Sequence, residues 1–175
     1  LSLLLGTILP THHPESIGSR TVKAKEPTIE LHDGDLPAGL EFANGVAVDT
    51  ETRGLSLQRD RLCLVQLSGG DGVCHLVRIF DPPAPAPNLT SILEDPDIVK
   101  IFHYARFDVA MLKRWLDVDC APVYCTKIAS KLVRTYTDRH GLKDICRELL
   151  GVDLAKEMQS SDWGVAEMSP QQARY

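Results

Sequence analysis

Two carboxylates separated by one residue, Asp49 and Glu51, are the first feature of the sequence with the means to do chemistry. They follow the apolar run Val46-Ala47-Val48, which reads as a strand, and on a strand positions i and i+2 project from one face. Their α-carbons would lie roughly 6.6 Å apart, a span from which carboxylates can bridge paired cations about 3.5–4 Å apart. Two nearby anions repel each other at neutral pH, and a cation between them relieves that repulsion. The alternative is a solvated strand end carrying two ordinary acids. Asp108 adds a third carboxylate, in the first turn of a helix that follows the apolar strand Ile98 to Phe102. An acid there also favours a helix N-terminus on its own account. In an α/β sheet, however, neighbouring strand ends converge on one crevice, so an acid just past one strand can meet those at the end of another. Ser169-Pro170 marks a further helix start and sets Tyr175 along that helix.

The elements that must hold these groups are marked by periodicity and turn residues. Leu62 to Leu67 is a nearly continuous apolar run, suited to a central strand covered on both faces. It ends at Ser68-Gly69-Gly70-Asp71-Gly72, a short turn that makes the next strand, Val73 to Phe80, antiparallel to it. With the strand leading into Asp49 this gives a three-stranded meander. The Pro-Ala stretch from Asp81 to Pro87 is a stiff surface connection, since each proline removes a backbone donor. Asn88 is a helix cap for a short helix through Leu93, and Asp97 to Tyr104 returns as a strand by a parallel crossover. The helix from Arg106 to Leu116 aligns Phe107, Ala110, Met111 and Arg114 on one stripe, which Val109, Leu112 and Leu116 widen. Val123 to Thr126 is a short strand, Lys127 to Val133 a helix, and Leu142 to Leu150 a second helix closed by Gly151. The fold class is α/β, a mixed sheet of antiparallel meander plus parallel strands flanked by helices.

Composition narrows the function classes. The chain has 175 residues, 43% hydrophobic and 25% charged, which is one globular domain and neither a disordered nor a fibrous protein. A net charge of -5 excludes a broad cationic field of the kind that attracts long nucleic-acid duplexes. Any polyphosphate must be held by local charge or by metal. Five cysteines at irregular spacing form no zinc pattern and fit a reducing, cytoplasmic setting. Leu1 to Leu9 is too short for a membrane span and ends at Pro10, so no membrane association is expected. Residues 1–28 read as a poorly specified leader, and residues 29–175 as the folded domain.

Longer blocks carry a resemblance. Asp49-Thr50-Glu51-Thr52 with Gly54-Leu55, then Arg61 to Leu67, His103-Tyr104-Ala105-Arg106-Phe107-Asp108, and Ser161-Asp162-Trp163 through Tyr175 resemble the RNase D-like branch of the DEDD (DnaQ-like) 3′-5′ exonucleases. Cys125 to Leu132 and Arg134 to Lys143 are similar to nanoRNase C, the group within that branch that clears very short RNA. The resemblance implies an RNase H-like fold and two divalent cations, Mg²⁺ or Mn²⁺. It implies catalytic and metal-ligand roles for Asp49, Glu51 and Asp108, and a water-orienting catalytic role for Tyr175. A fourth acid is implied four residues past Tyr175, where the sequence stops, so a domain truncated within its third motif is expected.

The activity so implied is hydrolysis of short RNA oligonucleotides from the 3′ end to nucleoside 5′-monophosphates, with DNA as a further substrate and a homo-oligomer as the assembly. Processing of longer RNA 3′ ends and a nucleic-acid-binding fragment without catalysis are the alternatives. Thr50, Thr52, Leu55 and His103 are candidate substrate contacts. Leu55 would wedge against a terminal base or act as an ordinary core or loop leucine, and His103 would touch substrate or tie down the strand end. Lys127, Lys131, Arg134, Arg139 and Lys143 form a basic run that would meet phosphate or face solvent.

Overall fold

A computed structural model describes residues 27–43, 45–154, 161–165, 169 and 172. Among them, six strands form one sheet in the order β1-β4-β3-β2-β5-β6. The strands are β1 (Thr28–Asp33), β2 (Val46–Thr52), β3 (Leu62–Ser68), β4 (Val73–Arg78), β5 (Lys100–Phe102) and β6 (Val123–Cys125), and the helices α1 (Pro87–Glu94), α2 (Arg106–Leu116), α3 (Thr126–Val133) and α4 (Leu142–Leu150). The expected meander is present, with β2 antiparallel to β3 and β3 antiparallel to β4. β5 joins β2 in parallel, and β6 joins β5 in parallel. Every residue of β3 is buried, as its unbroken apolar run requires of a strand covered on both faces.

One strand was not expected. Thr28–Asp33, read from sequence as the end of a leader and a polar approach, pairs in parallel with β4 at the sheet edge. Its side chains are mostly exposed, so it lacks the apolar signature of a core strand. It is held by the backbone ladder and by Asp33, which accepts a hydrogen bond from Arg78 Nε at 2.6 Å.

Helix α1 also starts differently. Asn88 does not cap it; the cap position is Ala86, without a side-chain hydrogen bond. Asp35 does the capping from a distant segment. Its two carboxylate oxygens accept from the backbone N–H groups of Asn88 at 3.1 Å and Leu89 at 2.8 Å, supplying both acceptors and negative charge at the helix N-terminus. Asn88 instead donates through Nδ2 to the Leu36 carbonyl at 2.8 Å.

The main core lies between one sheet face and the helices α1 and α2, with Val46, Val48, Val65, Leu67 and Val77 meeting Leu89, Leu93, Met111 and Leu112. The buried stripe of α2 runs through Asp108, Met111 and Leu112. Met111 and Leu112 fall on the expected surface, but Asp108 is buried beside them and Arg114 is exposed. An acid thus stands where the period would put a hydrophobe. A second cluster, Cys63, Leu64, Cys74, Leu76 and Trp163 with Ile29 against it, fixes the segment around Trp163 onto the sheet. The Arg61 guanidinium donates to the Gly164 carbonyl there at 3.2 Å.

Lys100 in β5 is fully buried. Its ammonium donates to the carbonyls of Asp95 and Ala121, tying the loop after α1 to the approach to β6. Arg134 is also buried: its guanidinium donates to Ser130 Oγ and to the Arg139 carbonyl, both at 2.8 Å, and pairs with Glu148 of α4. Arg134 therefore leaves the basic run read from the sequence, because its charge is spent joining α3 to α4.

Candidate active site

β2 alternates. Val46, Val48 and Thr50 are buried, whereas Ala47, Asp49 and Glu51 are partly exposed, so Asp49 and Glu51 share a face as period 2 dictates. Past Glu51 the pairing with β3 shifts register, a local irregularity of the kind that re-aims side chains at the end of a strand. Thr50 points to the opposite face, toward α2.

That threonine joins the two acidic segments. Its hydroxyl donates to Asp108 Oδ1 at 2.7 Å, and its backbone N–H donates to the same oxygen at 3.2 Å. Asp108 is 8% exposed. The link between β5 and α2 aims it there: Tyr104 adopts φ 69°, a left-handed conformation that non-glycine residues seldom take, and the chain turns directly into the helix. Gln66 of β3 stands opposite Asp49 in the ladder, and its Nε2 donates to Glu51 Oε1 at 3.4 Å.

The electrostatics are those of anions crowded together and partly withdrawn from water. Burial, then the charges of Asp108 and Glu51, hold the Asp49 carboxyl well above the usual carboxylate range. Burial, with Asp108 adding to it, pushes Glu51 up to about 7. Burial raises Asp108 as well, and the hydrogen bonds from Thr50 oppose it. Carboxylate oxygens suit hard divalent cations such as Mg²⁺ or Mn²⁺ better than zinc, which prefers thiolate and imidazole; the ligand atoms of Asp49, Glu51 and Asp108 do not all lie within 4.8 Å of one another.

The remaining expected residues fall into three groups. Thr52 Oγ1 donates to the Gly54 carbonyl at 2.7 Å and shapes the turn that follows the acids. Leu55 is 85% exposed, which removes the reading of a core leucine and leaves its side chain free at the tip of that loop. His103 Nδ1 meets Thr126 Oγ1 at 2.9 Å, and that hydroxyl donates to the Phe102 carbonyl at 3.1 Å. With the threonine proton so committed, Nδ1–H is the donor and Nε2 keeps its lone pair. Burial, then Lys127, pushes His103 down to about 4, so the ring is neutral at pH 7. Tyr175 lies outside the described residues. The helix start expected before it is supported by Ser169 and Gln172: the Ser169 N–H donates to Gln172 Oε1 at 2.8 Å, and the Gln172 N–H to Ser169 Oγ at 3.2 Å. This is a reciprocal capping pair.

Sequence reasoning missed two supporting residues. Gln66 was read only as a strand position. Asp60, 9% exposed, accepts from the Ser56 N–H at 2.9 Å and from Arg59 Nε at 2.9 Å, organising the loop that carries Leu55. Gly54 is required there, because a Cβ would overlap the Asp60 carboxylate. A polar residue inside Gln58-Arg59-Asp60-Arg61 gives no local signal that it is buried.

Comparisons with known proteins agree with this geometry. The 3′-5′ exonuclease family is matched over residues 35–175. Ribonuclease D of Gluconacetobacter diazotrophicus is 32% identical over 133 residues, 74% of this chain and 33% of that protein. Among solved structures, Brucella melitensis NrnC bound to pGG is 51% identical with a TM-score of 0.81, over 85% of this chain and 72% of that one. The same protein with bound Mg²⁺ is 50% identical with a TM-score of 0.80, at the same coverage. Escherichia coli RNase D is 26% identical with a TM-score of 0.62, over 75% of this chain and 36% of that one. The chain spans about a third of the length of the curated ribonuclease D relatives it matches. With its acids on a β2 end and an α2 start inside an RNase H-like mixed sheet, the chain belongs to the 3′-5′ exonuclease family, in its RNase D-like and NrnC-like branch.

Proposed function

We propose that this chain is the catalytic part of a metal-dependent 3′-5′ exoribonuclease that hydrolyses short RNA oligonucleotides to nucleoside 5′-monophosphates. One observation supports the reading: Thr50, next in sequence to both Asp49 and Glu51, donates to Asp108, so that the Asp108 charge is felt by both of those carboxyls. Asp49, Glu51 and Asp108 would hold two Mg²⁺ or Mn²⁺ ions. When bound, such ions activate water and stabilise the leaving oxygen of an in-line displacement.

The residues of the chain do the rest. Asp49 and Glu51 present their oxygens from one face of β2, and Gln66 steadies Glu51. Thr50 fixes the rotamer of Asp108 and acts through it. The neutral His103 offers its Nε2 lone pair as an acceptor for a hydroxyl of the terminal sugar. Leu55, exposed on a loop made rigid by Asp60, is placed to stack on a terminal base. Tyr175 would orient the attacking water by a hydrogen bond, since a phenol, whose reference pKa is near 10, is a poor base at neutral pH.

Short substrates are supported by the likeness to NrnC bound to pGG and by the net charge of -5, which gives no long basic groove for many phosphates. Ribonuclease D relatives support a second reading, trimming of longer RNA ends. We further propose a cytoplasmic homo-oligomer; no helix among the described residues is long and apolar enough to cross a membrane. The test is cleavage of 5′-labelled RNA dimers, 20-mers and a structured tRNA-like RNA by the native protein, with and without EDTA. Rapid, EDTA-sensitive loss of dimers is expected, and Asp49→Asn should abolish it with the circular dichroism unchanged. Preference for the structured RNA would favour the second reading, and full activity of Asp49→Asn would overturn the site.

A further inference from the structure

We propose that Glu30, His32 and His75 form a separate binding site for a borderline transition-metal ion, Zn²⁺ by preference, which staples the edge strand β1 to β4. In the parallel ladder Glu30 stands level with His75, and His32, two residues on, projects from the same face as Glu30. Their ligand atoms lie within 4.8 Å of one another, the only set of three or more such groups to do so among the described residues. His32 Nε2 is 3.1 Å from His75 Nδ1, Glu30 Oε2 is 3.4 Å from His75 Nδ1, and Glu30 Oε2 is 3.9 Å from His32 Nε2.

Donors arranged tetrahedrally around zinc, with bonds of about 2.0–2.1 Å, are about 3.3 Å apart. The three measured edges bracket that length, so small side-chain rotations convert the cluster into a coordinating face with one position left for water. The rings lie 5.3 Å apart with 27° between their planes. Phe42 packs its ring edge-on to His75 at 6.2 Å, walling the inner side, and the exposed Glu30 leaves an approach from solvent. Two imidazoles and one carboxylate select zinc, cobalt, nickel or copper over Mg²⁺, which demands oxygen ligands. The place is remote from the acids: His75 packs on the α-covered face that also carries Leu67, and β4 is two strands from β2. The inference therefore does not rest on the proposed nuclease activity.

Without metal, the same three groups can share a proton between the rings. Titration of Co²⁺ into the native protein separates the two states by visible absorption, because tetrahedral cobalt absorbs far more strongly than hydrated cobalt. The Asp49→Asn/Glu51→Gln double variant serves as the background, to silence the carboxylate site. One equivalent of tetrahedral Co²⁺ per chain is expected, displaced by Zn²⁺ and not by millimolar Mg²⁺. His32→Ala should weaken uptake at least 100-fold and remove the rise in melting temperature that Zn²⁺ gives. Glu30→Gln, at an exposed position, provides the same readout if the histidine variant does not fold. No cobalt band in the double variant, or uptake unchanged by both His32→Ala and Glu30→Gln, overturns the site.

Discussion

Glu51→Gln should make the metal-free protein more stable while abolishing its activity. The wild-type Glu51 carboxyl is pushed from its ordinary 4.5 up to about 7, so the folded chain holds a proton that the unfolded chain has released. Between those two values the native state binds more protons, and stability falls as pH rises. The stabilising contribution is complete below about 4.5 and lost by the time pH has passed 7. A shift of about 2.5 units corresponds to roughly 3 kcal/mol, or about 6–12 °C in melting temperature for a domain of this size. Glutamine cannot ionise and keeps an oxygen for Gln66 Nε2. Thermal unfolding in EDTA from pH 4.5 to 8 should therefore show a falling curve for wild type and a flatter one for Glu51→Gln, with the variant ahead by several degrees at pH 8. Adding Mg²⁺ at pH 8 should raise wild type and leave the variant nearly unmoved. A variant no more stable than wild type at pH 8, or one with the same pH slope, would refute the electrostatic account of the site.

Other outcomes follow from single contacts. Thr50→Val deletes the hydroxyl bond to Asp108; a bond to a charged group is worth about 1.5–3 kcal/mol, so kcat should fall roughly 10–100-fold with KM little changed, and Thr50→Ser should restore most of it. Gly54→Ala forces a Cβ into the Asp60 carboxylate and should raise KM through the Leu55 loop, measured on RNA dimers, while leaving pH dependence unaltered. Arg134→Ala leaves the Arg139 carbonyl without its donor and Glu148 without its ion-pair partner, though still held by the Tyr136 hydroxyl, so it should lower the urea midpoint, with cleavage per folded molecule unchanged. Lys131→Ala should change neither.

Legibility in the sequence tracked the locality of the cause. Asp49 and Glu51 stood out because a strand's two-residue period sets them on one face, Asp108 because it follows a strand end in the first turn of a helix, and β3 because an unbroken apolar run has few other uses. The edge strand β1 was missed because Thr28–Asp33 exposes most of its side chains and depends on a partner at Val73–Arg78. The α1 cap was misassigned to Asn88 because Asp35, which provides it, is 53 positions away. The bond of the Thr50 hydroxyl to an acid 58 positions along the chain was likewise not foreseen. In each case the decisive interaction joins segments that no local window contains.

Lys100 has a chemical consequence of its own. Its amine is sealed from solvent and gripped by two carbonyls, while Lys113 on α2 lies half open beside Asp117 and Asp119. An acylating reagent in bulk water reaches Lys113 at any instant and Lys100 only when β5 and the loops that grip its amine have come apart. The chain thus carries an internal clock for its own rare openings, read by the lag between two labels in one digest.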